Sequence, residues 1–215
     1  MQPAEIPAEE HALVAILRGV EPERVVAIAD VLYAAGIRII EVPLNSPDPY
    51  ASVAALTAGR RPGCLIGAGT VLNIEQVRNT HKAGGRLIVA PNCDAEVIGD
   101  ALRLGMQVMP GIATATEAFT AIRAGAKHLK LFPAISYGPR HLQSLRAVLP
   151  TEIRVYPVGG IGAPDIPDWV AAGAAGFGFG SELFRPGYPL ADIEQRARHL
   201  CAAFRDALKT TGGNS

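Results

Sequence analysis

The chain has 215 residues, a length that suits one α/β barrel domain of roughly 200–250 residues better than two small domains. Hydrophobic residues make up 49% of the sequence, which excludes a disordered chain and predicts strands buried on both faces. The 20 basic side chains balance 20 acidic ones, so no net charge attracts nucleic acid or an anionic membrane, and local groups must hold any anionic ligand.

The three cysteines, Cys64, Cys93 and Cys201, are scattered and show neither a CxxC pair nor the Cys/His spacing of a zinc site. We therefore expect no disulfide framework, no metal and a reducing compartment. The segment 1–11 lacks the apolar stretch of a signal peptide, and no apolar run approaches the roughly 18 residues that a membrane span needs. These features predict a cytoplasmic protein.

Short apolar runs alternate with longer amphipathic stretches along the whole chain. The apolar runs predict strands at 12–18, 38–44, 65–71, 86–92, 107–113, 128–134, 154–160 and 176–181. The amphipathic stretches predict helices at 21–36, 49–60, 73–84, 94–104, 115–125, 139–149, 164–173 and 189–208. Glycines follow five of these stretches, as left-handed C-caps do: Gly36, Gly84, Gly105, Gly125 and Gly173. Thr114 and Glu117 have the spacing of a capping box.

Each strand–helix pair occupies roughly 20–28 residues, about the length of a strand and its crossover helix. The eight pairs predict a TIM (β/α)₈ barrel in a single domain over 1–215, with an ordered core at about 11–208 and loose ends at 1–9 and 210–215. A doubly wound open sheet is the alternative fold. In a barrel the chemistry lies at the carboxyl ends of the strands, so functional side chains are expected there.

Lys130 lies inside the apolar run 128–132 of the predicted sixth strand. Burial disfavours an ammonium group and lowers the pKa of a lysine. A neutral amine is the form that attacks a ketone and makes an iminium, so Lys130 is a candidate nucleophile. The alternative is a lysine that pairs with a carboxylate in the core or faces water at the strand end.

Glu41 lies late in the predicted second strand, so its carboxylate and Lys130 can face one barrel interior. The pair can act as proton carrier and nucleophile; burial raises the pKa of the carboxyl group and the lysine charge lowers it. A buried salt bridge without a reaction is the alternative. Such pairs stabilise a fold weakly, which favours the catalytic interpretation.

Small residues end the last two predicted strands, with Gly159 and Gly160 on the seventh and Gly180 and Ser181 on the eighth. TIM barrels often bind phosphate through backbone N–H groups of these two loops, and glycine lets the backbone approach the phosphate closely. Glycines that only ease tight turns are the alternative. The sequence thus predicts a phosphate cradle at this end of the barrel.

Other strand ends carry weaker signals. Arg18, at the end of the first strand, can fork onto a carboxylate or phosphate, or can be a solvent-exposed loop residue. Thr70, near the end of the third strand, offers a hydroxyl donor to a small carboxylate. His128 shares a strand face with Lys130, but we expect it to pack lower in the barrel, and we expect Trp169 to be a packing residue.

Eight short motifs follow one another at the predicted strand ends. They are AILRG (15–19), EVPLNSP (41–47), IGAGTVL (66–72), APN (90–92), PGIATATEA (110–118), LKLFP (129–133), PVGGI (157–161) and GFGSELF (178–184). In this order they resemble the 2-keto-3-deoxy-6-phosphogluconate/galactonate (KDPG/KDPGal) aldolase family, over about residues 11–208. The resemblance implies a class I, Schiff-base aldolase, which is a carbon–carbon lyase, without a metal or cofactor.

The resemblance also implies residue roles. Lys130 would form the Schiff base and Glu41 would be the general acid/base. The implied substrate-binding residues are Thr70 and Pro91 at the pyruvate carboxylate, Phe132 beside the same three-carbon unit, Arg18 on the substrate, and Gly159, Gly160, Gly180 and Ser181 around the phosphate. The implied partners are a phosphorylated keto-deoxy sugar acid, pyruvate and glyceraldehyde 3-phosphate, in a homotrimeric enzyme.

Three features distinguish the family's branches. The gluconate branch typically has threonine before the glycines of strand seven, where this chain has Val158, and EVTLRT where this chain has EVPLNS, so that Asn45 replaces an arginine. The galactonate branch typically has the LRG motif that contains Arg18. A valine cannot donate a hydrogen bond, which removes a preference for one C4 or C5 configuration. The resemblance therefore favours 2-dehydro-3-deoxy-6-phosphogalactonate over its gluconate epimer as the substrate.

Two functions of other classes remain open from the sequence. One is a sugar-phosphate isomerase that uses Glu41 as a proton shuttle without a covalent step, and the other is a sugar-phosphate binder without activity. A pyruvate adduct on Lys130 would exclude both.

Overall fold

The computed structural model describes residue 6 and residues 12–59 and 61–212. Within these residues the strands are β1 (Leu13–Ile16), β2 (Ile39–Pro43), β3 (Leu65–Gly69), β4 (Leu87–Val89), β5 (Gln107–Met109), β6 (Gly111–Ile112), β7 (His128–Leu131), β8 (Arg154–Pro157) and β9 (Phe177–Phe179). The α-helices are α1 (Pro22–Ala35), α2 (Pro49–Ala58), α3 (Ile74–Lys82), α4 (Ala95–Arg103), α5 (Ala115–Arg123), α6 (Pro139–Arg146), α7 (Ile166–Ala171) and α8 (Leu190–Gly212). The predicted alternation of strands and helices is confirmed.

The element ends differ from the prediction. Several strands stop before the apolar run does; β8, for example, ends at Pro157 although the run reaches 160, so the glycines beyond it lie in a loop. Two short 3₁₀ helices, Ala134–Ser136 and Ala163–Asp165, were not predicted. The predicted loose end at 210–215 is wrong for its first three residues, because α8 continues to Gly212. The rest of that end, and the predicted loose end 1–9 apart from residue 6, lie outside the described residues.

Local chemistry places the helix ends. The Thr114 hydroxyl accepts a hydrogen bond from the backbone N–H of Glu117, whose carboxylate accepts one from the N–H of Thr114, so the predicted capping box starts α5. Gly36 ends α1 with φ 110°, a left-handed conformation that suits glycine, and donates its N–H to carbonyls of the last turn. None of the described helices is long and apolar enough to cross a membrane.

The strands pair in parallel throughout the described part of the chain. Six form one sheet in the order β5-β4-β3-β2-β1-β9, and three form a second in the order β6-β7-β8. Pro110 divides the predicted fifth strand between the sheets, because proline has no N–H to donate to a ladder. An isolated parallel bridge joins Val158 to Gly178 at the other junction. The α/β fold with parallel sheets is confirmed, while one continuous eight-stranded ladder is not observed.

The interior around these sheets is formed by buried apolar side chains. Strands β1 to β4 are buried along their whole length, as expected for strands covered on both faces. The helices pack on the outside, and Trp169 of α7 is buried as predicted. Two charged side chains on the strands are buried and therefore desolvated: Glu41 of β2 is 1% exposed and Lys130 of β7 is 6% exposed.

Candidate active site

A cavity of about 170 Å³ opens at the carboxyl ends of the strands. Its wall contains Lys130 and every predicted substrate-binding residue, namely Arg18, Thr70, Pro91, Phe132, Val158, Gly159, Gly160, Gly180 and Ser181. These residues come from segments far apart in sequence and meet because parallel strands end at the same edge of a sheet. The fold brings the predicted set together, and the role of each residue stays a prediction.

Lys130 lies on β7 between Gly111 of β6 and Tyr156 of β8. Its Nζ is 5.0 Å from the centre of the Phe132 ring. Burial lowers the pKa of Lys130 below its ordinary value; the nearby carboxylate of Glu41 opposes this shift, and the charge of Arg18 adds to it. The amine is therefore more easily uncharged than that of a lysine in water.

Glu41 lies on β2 behind the cavity wall rather than in it. Burial raises the pKa of its carboxyl group to about 6, although the charges of Lys130 and Arg18 act in the opposite direction. Its Oε2 atom is buried and has no hydrogen-bond partner in the part of the chain that the structure describes. A buried acceptor without a partner is costly, so this oxygen is well suited to take a proton or accept a water molecule.

Arg18 is held by the loop that follows β2. Its Nη1 donates a hydrogen bond of 2.5 Å to Asn45 Oδ1, and the backbone N–H of Gly19 donates one of 2.9 Å to the hydroxyl of Ser46. Sequence reasoning used Asn45 only to separate the two branches and did not predict its contact with Arg18. The available signal was the pair of polar residues directly after a buried strand.

Thr70 leaves β3 in a strained conformation. Its φ of 57° lies in the left-handed region, which is rare for a β-branched residue and costs on the order of 1–3 kcal/mol. Such strain persists only where the surrounding structure enforces it, and it clusters at functional sites. Here it occurs at the point where the chain turns from the buried strand into the cavity wall.

The glycine loop after β8 is held by hydrogen bonds from the segment that follows β7. Gly159 and Gly160 have φ values of 99° and 74°, which side-chain-bearing residues rarely adopt. The carbonyls of Val158 and Gly159 accept hydrogen bonds of 2.8 and 3.1 Å from the N–H groups of Ala134 and Ile135. This loop therefore has a defined backbone shape next to Lys130, as a preformed anion site requires.

The cavity wall also contains residues that were not predicted: Ile16, Ile161, Gly178, Phe179 and Glu182. Ile16 ends β1 and precedes Arg18 by two residues, so alternation along the predicted strand 12–18 could have suggested it. Glu182 directly follows Ser181, but a carboxylate beside an expected phosphate site gave no reason to choose it. The apolar members narrow the cavity around the polar ones.

Outside the cavity, His128 makes a structural contact. His128 Nδ1 lies 3.1 Å from the hydroxyl of Tyr156, and burial lowers the pKa of His128 to about 4, with the charges of Arg154 and Lys127 acting in the same direction. This agrees with the expectation of a packed histidine. The described residues contain no group of three or more His, Cys, Asp or Glu side chains that could hold a metal ion.

The chain is similar to known proteins over most of its length. The family model described as KDPG and KHG aldolase matches residues 6–193. A 2-dehydro-3-deoxy-6-phosphogalactonate aldolase of Escherichia coli (strain K12) is 45% identical over 197 residues, which cover 92% of this chain and 96% of the relative. A 2-dehydro-3-deoxy-phosphogluconate aldolase of Pseudomonas aeruginosa is 34% identical over 148 residues, covering 68% and 66%. A solved structure described as native KDPGal superposes with a TM-score of 0.91 at 43% identity, covering 97% of this chain and 100% of the other.

Proposed function

Because the chain belongs to the family of KDPG and KHG aldolases, we propose that it is a class I aldolase that splits 2-dehydro-3-deoxy-6-phosphogalactonate into pyruvate and D-glyceraldehyde 3-phosphate. The observation that carries the chemistry is a lysine, Lys130, that is 6% exposed and still lines the cavity at the strand ends. The choice of the galactonate substrate is supported by 45% identity to a galactonate relative, against 34% to a gluconate relative.

The covalent step begins at Lys130. Its uncharged amine attacks C2 of the keto acid, and loss of water gives an iminium ion that joins Nζ to C2. The iminium is the electron sink for the next step. Arg18 supports this step electrostatically, since its positive charge lowers the pKa of Lys130, and its guanidinium group, which is held by Asn45, lines the cavity in which the substrate would bind.

Proton transfer is the task of Glu41. Because the carboxyl group lies behind the cavity wall, we place one bridging water between Oε2 and the substrate. The carboxylate takes the C4 hydroxyl proton, the C3–C4 bond breaks, and its electrons move into the iminium to make an enamine, while glyceraldehyde 3-phosphate leaves. Glu41 then returns a proton to C3, and water hydrolyses the new iminium to release pyruvate and the free amine.

The remaining wall residues bind the two ends of the substrate. Thr70, Pro91 and Phe132 would enclose the pyruvate carboxylate and its carbon chain, and the loops at Gly159–Gly160 and Gly180–Ser181 would enclose the phosphate. The positive φ angles of Gly159 and Gly160 support this, because they allow a backbone path that brings N–H groups close to an anion. Each of these roles is a proposal.

The proposed function is tested by trapping. The protein is incubated with pyruvate and sodium borohydride, and the modified peptide is identified by mass spectrometry. A pyruvate adduct on Lys130, together with pyruvate release from the phosphogalactonate in a coupled assay, is expected. Binding of the sugar phosphate without an adduct would identify an isomerase or a binding protein instead.

A pH profile tests the role of Glu41. The carboxyl pKa is raised to about 6, so the basic form is lost as pH falls through about 6 rather than through its ordinary value of 4.5. We expect exchange of deuterium into the methyl group of pyruvate to fall about tenfold per pH unit below this limb. Pyruvate has no phosphate that titrates nearby. In Glu41→Gln the residual exchange rate should not fall near pH 6. If the rate of this variant still falls there, the titrating group is not Glu41.

The epimer preference is tested at Val158, which lines the cavity with 6% of its surface exposed. Val158→Thr keeps the side-chain shape and adds a hydroxyl group that can bind one C4 configuration. We expect the ratio of kcat/KM for the gluconate epimer to that for the galactonate epimer to rise about 2- to 10-fold, since one hydrogen bond contributes about 0.5–1.5 kcal/mol. Val158→Ala, which changes size without a donor, is the control. An equal effect of both variants on the ratio would exclude the hydroxyl as the cause.

The finer architecture belongs to the same proposal. We propose that the two sheets act as one (β/α)₈ barrel formed by a single domain over the chain. Two features support closure: β5 and β6 are continuous in sequence across Pro110, and the Val158–Gly178 bridge links the sheets at the opposite junction. A closed barrel would hold Lys130 and Glu41 on a rigid frame.

The proposed assembly is a homotrimer in the cytoplasm. One similar structure is described as a porous cage designed by fusing symmetric oligomeric domains, which supports a symmetric oligomer without giving its order. The free Cys64, Cys93 and Cys201 suit a reducing compartment. Sedimentation of the purified protein at three times the monomer mass would support the trimer.

A further inference from the structure

Gly69, the last residue of β3, provides the space that the carboxyl group of Glu41 occupies. A Cβ atom added to Gly69 would lie 1.4 Å from Glu41 Oε2, 2.2 Å from Cδ and 2.6 Å from Oε1. All three distances are far below van der Waals contact, so the carboxyl group lies directly against the Gly69 backbone. The strand register explains this: Glu41 pairs with Gly67, and Gly69 follows on the same face of β3.

Gly69 is not a glycine for reasons of backbone conformation. Its φ lies outside the left-handed region in which glycine is favoured, unlike those of Gly159 and Gly160. Alanine would therefore fit the backbone at this position. The requirement is for space alone, and the group that fills the space is the proposed acid/base.

The Oε2 atom of Glu41, which lies closest to Gly69, is buried and accepts no hydrogen bond from the described residues. Packing against Gly69 therefore places this oxygen. The next residue, Thr70, has the strained φ of 57° and lies in the cavity wall. Gly69 thus lies against the buried carboxyl group and directly precedes a residue of the cavity wall.

We propose that Gly69 is a positioning residue for proton transfer. Because Gly69 has no side chain, the Glu41 carboxyl group fits behind the cavity wall, within reach of the substrate bound to Lys130. This inference rests on the proposed aldolase function and assigns a new residue to it. Gly69 does not touch the reacting atoms in this account. It acts only by determining where the carboxyl group lies.

The activity test separates covalent from proton-transfer steps. In Gly69→Ala the carboxyl group must move, whereas the three atoms nearest to the added Cβ all belong to Glu41 and none to Lys130. We expect borohydride trapping of pyruvate within about twofold of the unmodified protein, and methyl-proton exchange and cleavage slower by on the order of 10²-fold. Gly99→Ala on α4 is the control, because its added Cβ would meet only the end of Arg103 at 3.4 Å. Unchanged exchange in folded Gly69→Ala, or trapping lost in parallel with exchange, would overturn the inference.

A stability test does not depend on any activity. Gly69→Ala should lower Tm by on the order of 5 °C or more, because a buried overlap must be relieved. In a Glu41→Ala background the overlapping carboxyl group is gone, so Gly69→Ala should lower Tm by less than half as much. Equal losses of Tm in both backgrounds would overturn the proposal that Gly69 positions the Glu41 carboxyl group. If Gly69→Ala fails to fold, recovery of folding in the double variant supports this proposal and continued failure refutes it.

The two tests also separate this inference from the proposed function. Absence of a pyruvate adduct in the unmodified protein would refute the proposed aldolase function. The Tm comparison would still show whether Gly69 makes room for the Glu41 carboxyl group. A normal adduct, combined with additive stability losses, would keep the aldolase and remove Gly69 from it.

Discussion

Replacing Lys130 by methionine is expected to abolish cleavage, with a loss on the order of 10⁴-fold or more, because no other group in the cavity wall can form the covalent iminium. Methionine keeps much of the side-chain volume on the buried strand β7, so the core stays filled. The lysine charge helps to keep the Glu41 carboxyl ionised. In Lys130→Met this carboxyl group should take up a proton and remain neutral in the core, which lets the variant fold.

The measurements for Lys130→Met are pyruvate release, borohydride trapping and thermal unfolding. Lys127→Met is the matched control: it removes a lysine three residues earlier in the chain that is exposed to solvent. We expect the control to cleave and trap normally. Cleavage that persists in folded Lys130→Met would show that another group is the nucleophile.

Glu41→Gln is expected to slow cleavage by about 10²–10⁴-fold while leaving the pyruvate adduct on Lys130, because an amide of nearly the same shape cannot accept and return a proton. The carboxylate opposes the fall in the pKa of Lys130, so its removal should lower that pKa further and increase the fraction of uncharged amine. Trapping at pH 7 should therefore be equal to or faster than in the unmodified protein.

A matched control for the charge is Glu152→Gln, which removes a carboxylate that is exposed in the turn before β8. It should leave cleavage, trapping and methyl exchange unchanged. Retention of full cleavage by Glu41→Gln would remove Glu41 from proton transfer and leave it as a structural partner of Lys130. Loss of trapping in a folded Glu41→Gln would indicate that its main role is to maintain the amine.

These two variants, read together, distinguish a reaction from a buried ion pair. A buried ion pair without a catalytic role predicts that both folded variants keep cleavage, and that any loss appears only in thermal unfolding. The proposed mechanism instead predicts two folded proteins that fail at different steps, one before the adduct and one after it. Thermal unfolding and adduct mass measured on the same samples decide between the two outcomes.

Much of the fold follows from local patterns. Alternating apolar runs and amphipathic stretches predicted the eight α-helices and the regions that contain the strands. Strands buried on both faces and helices buried along one stripe have different hydrophobic periodicities, which makes both readable from the sequence. Lys130 and Glu41 stand out for the same reason: a charged residue within a run of apolar ones has no route to water. Cap residues such as Thr114 act within one helical turn, so their effect is also readable.

Features that depend on contacts between distant segments were not predictable in this way. Neither the Arg18–Asn45 hydrogen bond nor the position of Glu41 behind the cavity wall leaves a periodic mark, because each depends on the packing of neighbouring strands. The division of the fifth strand at Pro110 was signalled by proline, but the assignment of its halves to different sheets depends on their partners.

The amino-acid order by itself determined which side chains are buried and near which strand ends they lie, since hydrophobic periodicity and chain turns are local properties. Only the tertiary structure decided how those ends are arranged around Lys130, and in particular that Glu41 lies against Gly69. The reason is geometric: strand register and side-chain volume between neighbouring strands set distances that no spacing along one strand contains.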